Sequence, residues 1–310
     1  MSKRVALLLG GRSSERDVSL MSGRAISKAL KRLGHDVVEI DPQDDFIDQI
    51  KAAKPDVVYN ALHGTYGEDG AIPGILEYFG IPYTHSGIMP SAIAMDKAMT
   101  KKLLQSHGVE FAEGFVISSV ELIAMLKAGK EPMQRPYVIK ATNEGSTIGV
   151  YIVHEQDDEL VEKLKSSLWT HGEKVLIEQY IPGKELSAAV VGGKAIGVLE
   201  LRPIQGFYDY TAKYTEGLTE HVYPAEIPQK AYDLALEYAE KAHNVIECRT
   251  VSRSDFRYNP ANDSIYFLEI NTHPGFTDLS IVPEIAGYNG ISFDELVSRI
   301  LEDAKCNNKS

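Results

Sequence analysis

The sequence predicts an α/β fold, and two patterns indicate it. Before about residue 95, short apolar runs alternate with stretches whose apolar residues recur every three or four positions, which is typical of a parallel α/β domain. Near the other end, two alternating segments flank a turn-like stretch, which is typical of an antiparallel hairpin. A chain of 310 residues exceeds the usual size of a single core, so two or three domains are expected.

The first element is a strand that passes through a glycine turn into a helix. Val5 to Leu9 is a continuous apolar run that ends in Gly10-Gly11, and helical spacing follows from Val18 to Leu33. The turn lacks the Gly-x-Gly-x-x-Gly spacing that lets a pyrophosphate approach a helix, so a nicotinamide dehydrogenase is a weak alternative. Further elements are predicted at Asp36 to Ile40, Val57 to Ala61, Ile72 to Tyr78 (a helix) and Tyr83.

The middle of the chain combines one long helix with strands and a glycine-rich loop. A helix is predicted from about Pro90 to His107, with proline in its first turn and Gly108 after its end. The loop Glu144 to Gly149 joins two predicted strands, and such a loop can fold its backbone amides over phosphates. Strands are predicted at Tyr137 to Lys140, Val150 to Val153 and Val175 to Ile181.

The C-terminal part continues with strands, helices and one long irregular stretch. Between Pro203 and Pro228 no helical or strand period is visible, and loops of this length are typical of lids or binding segments. A terminal helix begins with a capping box at Ser292. Strands are predicted at Leu186 to Val191 and Ala195 to Leu201, and a helix at Tyr232 to Ala242.

Four polar residues of the C-terminal hairpin are predicted to form one site. If the turn centres near residues 261–262, Asp255 lies opposite Glu269. Arg253 then lies opposite Asn271 on the same face. Two carboxylates and a carboxamide are oxygen ligands that suit Mg²⁺, with phosphate supplying further ligands. The other face, toward a core, would carry Phe256, Leu268 and Ile270.

Composition restricts the partners and the compartment. A formal net charge of −12 argues against a nucleic-acid or anionic-membrane partner, because nonspecific binding to either needs a basic surface. The two cysteines, Cys248 and Cys306, lack a metal-type spacing, which favours a reduced, cytoplasmic chain. No apolar run approaches the roughly 20 residues that a membrane span needs.

Five segments occur in an order that resembles ATP-grasp enzymes, specifically the D-alanine:D-alanine ligase family, over nearly the full chain. They are residues 63–70 (His-Gly-Thr-Tyr-Gly-Glu-Asp-Gly), 144–149, 178–181, 207–214 and the 253–275 hairpin. The resemblance implies a three-domain ATP-grasp fold in which two α+β domains sandwich ATP. The implied domains are a Rossmann-like N-terminal domain (1–95) for the first D-alanine, a central subdomain with the phosphate loop (96–182) and a C-terminal subdomain with the lid and hairpin (183–310).

The resemblance also implies a reaction. ATP converts one D-alanine into an acyl phosphate, and the amine of a second D-alanine then displaces phosphate. The product is D-alanyl-D-alanine for peptidoglycan, and ADP and phosphate are released. A cytoplasmic homodimer without nucleic-acid or membrane partners is expected.

Residue roles follow from the same resemblance. Asp255, Glu269 and Asn271 are expected to bind two Mg²⁺ ions, for which Mn²⁺ can substitute. Arg253 and the backbone N–H of Gly275 are expected to steady the acyl phosphate and the oxyanion. The expected nucleotide contacts are Lys97, Lys140 and Lys213 at phosphate oxygens, Ser146 and Thr147 in the loop over them, Glu178 and the Ile181 backbone at adenine, and Glu185 at ribose.

The expected amino-acid contacts lie in several separate segments. Glu15, aided by His63, would anchor the ammonium of the first D-alanine, and Ser280 would hold the carboxylate of the second. Ser146 and Tyr214 would hydrogen-bond with Glu15 and close the lid, which excludes water. A tyrosine at Tyr214 goes with a D-alanine acceptor rather than D-lactate in this family. Because an unperturbed tyrosine has a pKa of about 10, the base that deprotonates the acceptor stays unassigned.

Three positions depart from the family pattern, and two other functions stay open. Pro73, Thr250 and Ser254 stand where a small or amide residue, a glycine and an apolar residue are more usual. One alternative is a carboxylate–amine ligase for another amino-acid pair. The other is a catalytically silent ATP-binding module, against which Arg253 argues because nucleotide binding alone does not need it.

Overall fold

Three β-sheets organise the described part of the chain. A computed structural model describes residues 1–145, 148–166, 169–204, 217–277 and 279–307. A parallel three-stranded sheet comes first, and two antiparallel sheets of four and five strands follow. The predicted mixed α/β fold is thereby confirmed, with parallel pairing confined to the N-terminal sheet among these strands. The predicted domain borders near residues 95 and 182 stay a prediction.

The N-terminal sheet has the order β2-β1-β3. Both neighbours pair parallel with β1, so the carboxyl ends of the strands share one edge of the sheet. The segments that follow β1 and β3 therefore meet there, and they carry Glu15 and His63. The elements are β1 (Arg4–Leu8), α1 (Arg16–Arg32), β2 (Asp36–Ile40), α2 (Phe46–Ala53), β3 (Val57–Asn60) and α3 (Ala71–Phe79).

The predicted long helix after the first sheet is wrong as a single element. Two helices, α4 (Ile88–Met95) and α5 (Lys97–Gln105), meet at Asp96, whose backbone is extended at φ −88° and ψ 100°. The Asp96 carboxylate accepts hydrogen bonds from the backbone N–H groups of Ala98 and Met99. Aspartate is a preferred N-cap because it satisfies these donors, so a new helix starts here. Lys97 becomes the first residue of α5.

The four-stranded sheet has the order β4-β7-β5-β6 and is antiparallel throughout. Helices α6 and α7 cover it, and their apolar residues Leu122, Leu126 and Val161 join the core of the strands. The elements are β4 (Gly114–Ser118), α6 (Ser119–Lys127), β5 (Tyr137–Ala141), β6 (Val150–Val153), α7 (Asp158–Ser166) and β7 (Lys174–Gln179).

The five-stranded sheet has the order β10-β9-β8-β11-β12. No strand was predicted between Pro203 and Pro228, and this prediction is wrong at Thr219–Val222. That segment pairs with β9 as an edge strand. This short, polar segment is a strand because β9 offers it a partner, which its own sequence cannot reveal. The elements are β8 (Lys184–Val191), β9 (Lys194–Pro203), β10 (Thr219–Val222), α8 (Gln229–Val245), β11 (Val251–Asn259), β12 (Ser264–Asn271), α9 (Ile281–Tyr288) and α10 (Phe293–Glu302).

The β11–β12 hairpin has the predicted register at its polar end. Asp255 pairs with Glu269, and Arg253 pairs with Asn271. A β-bulge follows, because Phe256 pairs with residue 267 and leaves Leu268 as an extra residue in β12. Phe256 and Ile270 are buried as predicted. The prediction for Leu268 is wrong, since it lines a second pocket instead of the core.

Two of the unusual positions have a structural explanation. Thr250 has φ +52°, a left-handed conformation that favours glycine and is strained for a β-branched residue. Its hydroxyl donates to Asp303 Oδ2 at 2.5 Å, and its carbonyl accepts from Gly192 N–H at 2.6 Å. These contacts offset the strain. Pro73 lies in the first turn of α3, where its missing N–H leaves no helical hydrogen bond unmade.

Ser254 gives the first testable prediction. Its Oγ is fully buried without a hydrogen-bond partner among the described residues, whereas Ser252 on the same strand bonds His243 Nδ1 at 2.8 Å. Removing a bonded hydroxyl costs about 1 kcal/mol, and removing an unpaired one does not. Urea denaturation should therefore show Ser252→Ala less stable than the parent and Ser254→Ala equal or more stable. The reverse order would contradict an unpaired Ser254 hydroxyl.

No helix of the described residues combines the length and the apolar character that crossing a membrane requires.

Candidate active site

A polar cleft opens where loops from the first sheet and the four-stranded sheet meet the β11–β12 hairpin. The predicted residues that line it come from all parts of the chain. They are Glu15, His63, Lys97, Arg253, Glu269, Asn271 and Gly275. Residues more than 200 positions apart in the sequence thus share one cavity.

Glu15 lies at one corner of the cleft, immediately before α1. Its side chain is 6% exposed, and two glycines approach it closely. A Cβ added to Gly64 would lie 3.0 Å from Glu15 Oε1, and one added to Gly145 would lie 2.6 Å from the same atom. Gly145 belongs to the predicted phosphate loop, so the described start of that loop lies against Glu15.

His63 is held from both ring nitrogens. Its Nδ1 lies 2.9 Å from Glu68 Oε1, and its Nε2 lies 3.1 Å from Ser22 Oγ. Burial disfavours the charged imidazolium, but the hydrogen bond and charge of Glu68 outweigh it and raise the pKa of His63. The nearby Glu15 charge acts in the same direction, and Arg253 acts against it. His63 therefore keeps its proton to a higher pH than a free histidine does.

The hairpin carries the charged floor of the cleft. Arg253 donates from Nε to Asp255 Oδ1 at 2.9 Å and from Nη2 to Oδ2 at 2.8 Å. Ser187 Oγ, on β8, also donates to Asp255 Oδ1 at 2.6 Å. Across the hairpin, Lys97 Nζ lies 3.0 Å from Glu269 Oε2. Each carboxylate therefore has a cationic neighbour, which offsets the repulsion between the paired acids.

Lys97 connects the hairpin to the loop after β5. Its Nζ donates to the Glu144 carbonyl at 2.6 Å while it pairs with Glu269. The lysine is in this position because Asp96 starts α5 beside the cleft. A cation between a glycine-rich loop and a carboxylate is suitably placed to hold phosphate oxygens.

The loop after β12 is tightly folded around Gly275 and Ser280. A Cβ on Gly275 would lie 2.9 Å from Ser280 Oγ. Ser280 Oγ accepts from the Thr277 N–H at 2.8 Å and precedes helix α9. Only glycine fits this close approach without displacing Ser280.

A second, mainly apolar pocket adjoins β5, β6 and β7. Predicted nucleotide residues line it: Lys140, Glu178, Ile181 and Glu185. Val138, Val150, Ile152 and Leu268 supply apolar walls. Flat apolar walls with a few convergent polar groups are typical of small-molecule sites and suit a purine ring.

Glu178 is the charged centre of this pocket. It is 4% exposed, and its two carboxylate oxygens accept from Lys101 Nζ and Lys140 Nζ, each at 2.6 Å. Burial opposes ionisation, but the charges and hydrogen bonds of the two lysines outweigh it and lower the pKa of Glu178. The pocket therefore presents an ionised, fixed carboxylate that can accept a further hydrogen bond.

Comparison with known proteins decides the family. Residues 103–302 match the family model described as "D-ala D-ala ligase C-terminus", and residues 39–86 match "D-ala D-ala ligase N-terminus". The chain belongs to the D-alanine–D-alanine ligase family. Curated D-alanine–D-alanine ligases from Wolbachia pipientis wMel and Gluconobacter oxydans are 49% and 48% identical to it. Each alignment covers 97% of this chain, and they cover 94% and 99% of the relatives.

Solved structures of ligases that act on D-alanine superpose on this chain. The D-alanine–D-alanine ligase from Bacillus anthracis superposes with a TM-score of 0.81 at 31% identity, covering 97% of both chains. The same enzyme complexed with ATP gives 0.79 at 29% identity, covering 98% of this chain and 97% of that one. VanG D-Ala:D-Ser ligase from Enterococcus faecalis gives 0.79 at 27% identity, covering 97% and 99%.

The residues predicted from the sequence and the residues found at the described site of this D-alanine–D-alanine ligase family member differ at several positions. Ser146, Thr147, Lys213 and Tyr214 lie outside the described residues. Glu68 was missed although it belongs to the 63–70 motif, and Lys101 was missed although it stands four positions after Lys97 on one helix face. No pattern within the sequence identifies the Ser187 contact, because it depends on the pairing of β8 with β11.

The donor set of the ligase hairpin fits a hard cation. Among the described residues, no group of three or more His, Cys, Asp or Glu side chains is arranged to hold a metal ion. Asp255 and Glu269 instead face each other across the hairpin with Asn271 next along the strand, which gives two carboxylates and an amide oxygen. Mg²⁺ prefers oxygen ligands and also takes phosphate oxygens, so this set of two carboxylates and an amide oxygen suits it.

Gly145 gives a prediction about the first-substrate corner. The methyl group of Gly145→Ala would lie within contact of Glu15 Oε1 and push that carboxylate aside. We expect a higher KM for the donor D-alanine with an unchanged melting temperature, as measured by steady-state kinetics and thermal unfolding. Gly172→Ala serves as the control, since nothing lies within 4 Å of its added Cβ, although its φ of +87° costs stability. A donor KM that is unchanged in Gly145→Ala would contradict the contact.

Proposed function

We propose that this protein joins two D-alanines to D-alanyl-D-alanine at the expense of ATP, through a D-alanyl phosphate intermediate, and releases ADP and phosphate. One observation carries the proposal. Arg253, Glu269 and Asn271 of the hairpin line the same cleft as Glu15 and His63, in a chain of the D-alanine–D-alanine ligase family. Asp255 pairs with Glu269 across the hairpin. Phosphate chemistry and amino-acid binding therefore share one cavity.

Binding of the donor is assigned to the corner with Glu15. The Glu15 carboxylate anchors the ammonium of the first D-alanine, and His63 with its raised pKa contributes positive charge toward the carboxylate to be activated. The tight packing by Gly64 and Gly145 limits where Glu15 can point. A fixed anchor is useful here because positioning of the reacting groups contributes directly to rate.

Nucleotide binding is assigned to the apolar pocket and the lysines beside it. At adenine, the Glu178 carboxylate accepts a hydrogen bond and the Ile181 backbone N–H donates one. Glu185 binds ribose, and Lys97 and Lys140 hold phosphate oxygens. Two Mg²⁺ ions held by Asp255, Glu269 and Asn271, with Mn²⁺ able to substitute, would neutralise phosphate charge during transfer. Ser146 and Thr147 are assigned to the loop over the phosphates and Lys213 to the phosphate oxygens. Tyr214, with Ser146, is assigned to the hydrogen bonds with Glu15 that close the lid.

The acyl-transfer step is assigned to Arg253, Gly275 and Ser280. The Arg253 guanidinium and the Gly275 N–H meet the negative charge that develops on the phosphate and on the tetrahedral oxyanion. Ser280, folded against Gly275, holds the carboxylate of the second D-alanine. This arrangement directs the acceptor amine toward the acyl carbon.

An assay with purified protein tests the proposal. With ATP, Mg²⁺ and D-alanine, ADP, phosphate and dipeptide should form in equal amounts. The absence of D-alanine stimulation over an amino-acid-free blank would overturn the substrate assignment. Because one of the similar structures is a D-Ala:D-Ser ligase, D-serine and D-lactate are included as acceptors. A preference for either over D-alanine would replace the acceptor, whereas ADP release with a different amino-acid pair would indicate another carboxylate–amine ligase.

The cellular setting is proposed by the same reasoning. Dipeptide production would serve peptidoglycan synthesis in the cytoplasm, in a homodimer with no nucleic-acid or membrane partner. Light scattering of the purified protein measures the dimer directly, and a monomeric mass at micromolar concentration would contradict it.

A further inference from the structure

A buried chain of hydrogen bonds joins helix α1 to the loop after β12. Ser22 Oγ accepts from the Phe276 backbone N–H at 3.1 Å and lies 3.1 Å from His63 Nε2. The other ring nitrogen of His63 lies 2.9 Å from Glu68 Oε1. Ser22 is 1% exposed, so solvent does not reach these groups to take its place.

We propose that Ser22 is a positioning residue for ligation, which holds the Gly275–Phe276 peptide and the His63 ring in register with each other. The proposal rests on the proposed function, because the roles of Gly275 and His63 come from it. Ser22 belongs to the parallel N-terminal part, while Phe276 follows the last strand of the five-stranded sheet. The serine therefore connects the donor site to the loop that serves the acyl transfer.

The Phe276 N–H controls the backbone next to the proposed oxyanion donor. A peptide unit is planar, so fixing this N–H fixes the plane that begins at the Gly275 Cα. The Phe276 ring is held separately, with edge contacts to Phe293 at 5.8 Å and His85 at 6.5 Å between ring centres. Packing of the Phe276 ring fixes the position of the loop after β12. The hydrogen bond to Ser22 fixes the orientation of the Gly275–Phe276 peptide plane.

A hydroxyl suits this position for a second reason. It carries two acceptor lone pairs and one proton, so Ser22 can accept from Phe276 and still adapt to His63. It donates to Nε2 when His63 is neutral and accepts from Nε2–H when His63 is charged. The link to Phe276 therefore survives a change in the protonation of His63. Alanine leaves both buried partners unsatisfied in either state.

The charged and titratable groups around His63 define what a pH measurement reports. Burial and Arg253 lower the pKa of His63, but Glu68 and Glu15 raise it by more, so the net change in the pKa is upward. His85 stays neutral, since burial lowers its pKa to about 3. His273 is neutral for the same reason. Loss of the Ser22 acceptor removes a hydrogen bond that is stronger to the charged ring, so the pKa of His63 should fall.

The test compares Ser22→Ala with a matched serine on the same helix. Ser27 is also buried, and its Oγ donates to Glu39 Oε1 at 2.6 Å, away from the cleft. With D-alanine and ATP, Ser22→Ala should lower kcat by about tenfold to 100-fold and leave the KM for ATP unchanged. Ser27→Ala should lose stability without losing kcat. A kcat within twofold of the parent in Ser22→Ala would overturn the proposal.

Two further measurements keep the proposal separable from the proposed function and from misfolding. NMR titration of the His63 ring in ligand-free protein should give a lower pKa in Ser22→Ala than in the parent and in Ser27→Ala. An unchanged pKa would contradict the link even if the parent enzyme did not use D-alanine. If Ser22→Ala does not fold, Ser22→Cys replaces it, because a thiol is a weaker hydrogen-bonding group of similar shape. It should also lower kcat, and a parental kcat in Ser22→Cys would overturn the proposal.

Discussion

Arg253→Ala is expected to reduce kcat by about 100-fold to 1,000-fold, the range seen when one donor to a developing oxyanion is removed. The guanidinium lines the cleft with two donors directed at Asp255, and no other arginine lines it among the described residues. Negative charge that develops on the transferred phosphate would lose its partner. Coupled measurement of ADP release and dipeptide formation checks the result, and circular dichroism should show a retained cooperative unfolding transition.

Two companion variants make the Arg253 result specific. Arg253→Lys keeps a positive charge near Asp255 but not the planar pair of donors, so it should fold well and still lose most turnover. Arg257 lies on the same strand and contacts the carbonyls of Ile181 and Gly183 beside the nucleotide pocket. Arg257→Ala should therefore raise the KM for ATP with a smaller change in kcat. Parental kcat in Arg253→Ala would refute the assignment of the hairpin.

Glu269→Gln is the second change with a large expected effect. It keeps the shape of the side chain but removes the charge that faces Asp255 and pairs with Lys97. Cation ligation that contributes several kcal/mol to transition-state stabilisation would be lost, which corresponds to about 100-fold or more in kcat. A higher Mg²⁺ concentration for half-maximal rate should accompany the loss, as measured by magnesium titration of initial rates.

Glu200 supplies the matched control for Glu269. It is also an acidic residue of the five-stranded sheet, 2% exposed and hydrogen-bonded by Arg202 and Lys184, but it does not line the cleft. Glu200→Gln should lower stability and leave kcat and the magnesium dependence unchanged. Retained turnover in Glu269→Gln, or an equal loss of kcat in Glu200→Gln, would contradict a specific role of Glu269 in cation binding.

The hairpin shows how far the sequence determines the structure. The turn near residues 261–262 and a period of two were sufficient to pair Asp255 with Glu269 and Arg253 with Asn271. They were not sufficient to reveal the bulge at Leu268. The alternation of polar and apolar residues within one strand does not show how many residues oppose each residue of the partner strand. The residues of the site were therefore predictable, while the direction of one apolar neighbour was not.

Other misses have tertiary causes. Strand β10 depends on the edge of β9, and the pairing of Lys101 with Glu178 depends on how α5 packs beside β7. The break at Asp96 is different, since an aspartate ahead of a lysine-rich helical stretch is a local N-cap signal that the sequence did contain. Strand β10 and the Lys101–Glu178 ion pair depend on contacts between distant parts of the chain, which a single sequence does not reveal.

The extra residue at Leu268 links two kinds of recognition in one strand. In a regular strand, Leu268 would point to the core, opposite to Glu269. With the extra residue, Leu268 lines the apolar pocket, and Glu269 lines the polar cleft. The base and the phosphates of one nucleotide would thus be read by consecutive residues. Substitutions at 268 can change the fit to the base alone, but losing or gaining one residue here would disturb both contacts together. A deletion or insertion at residue 268 is therefore expected to impair binding more than a substitution of its apolar side chain.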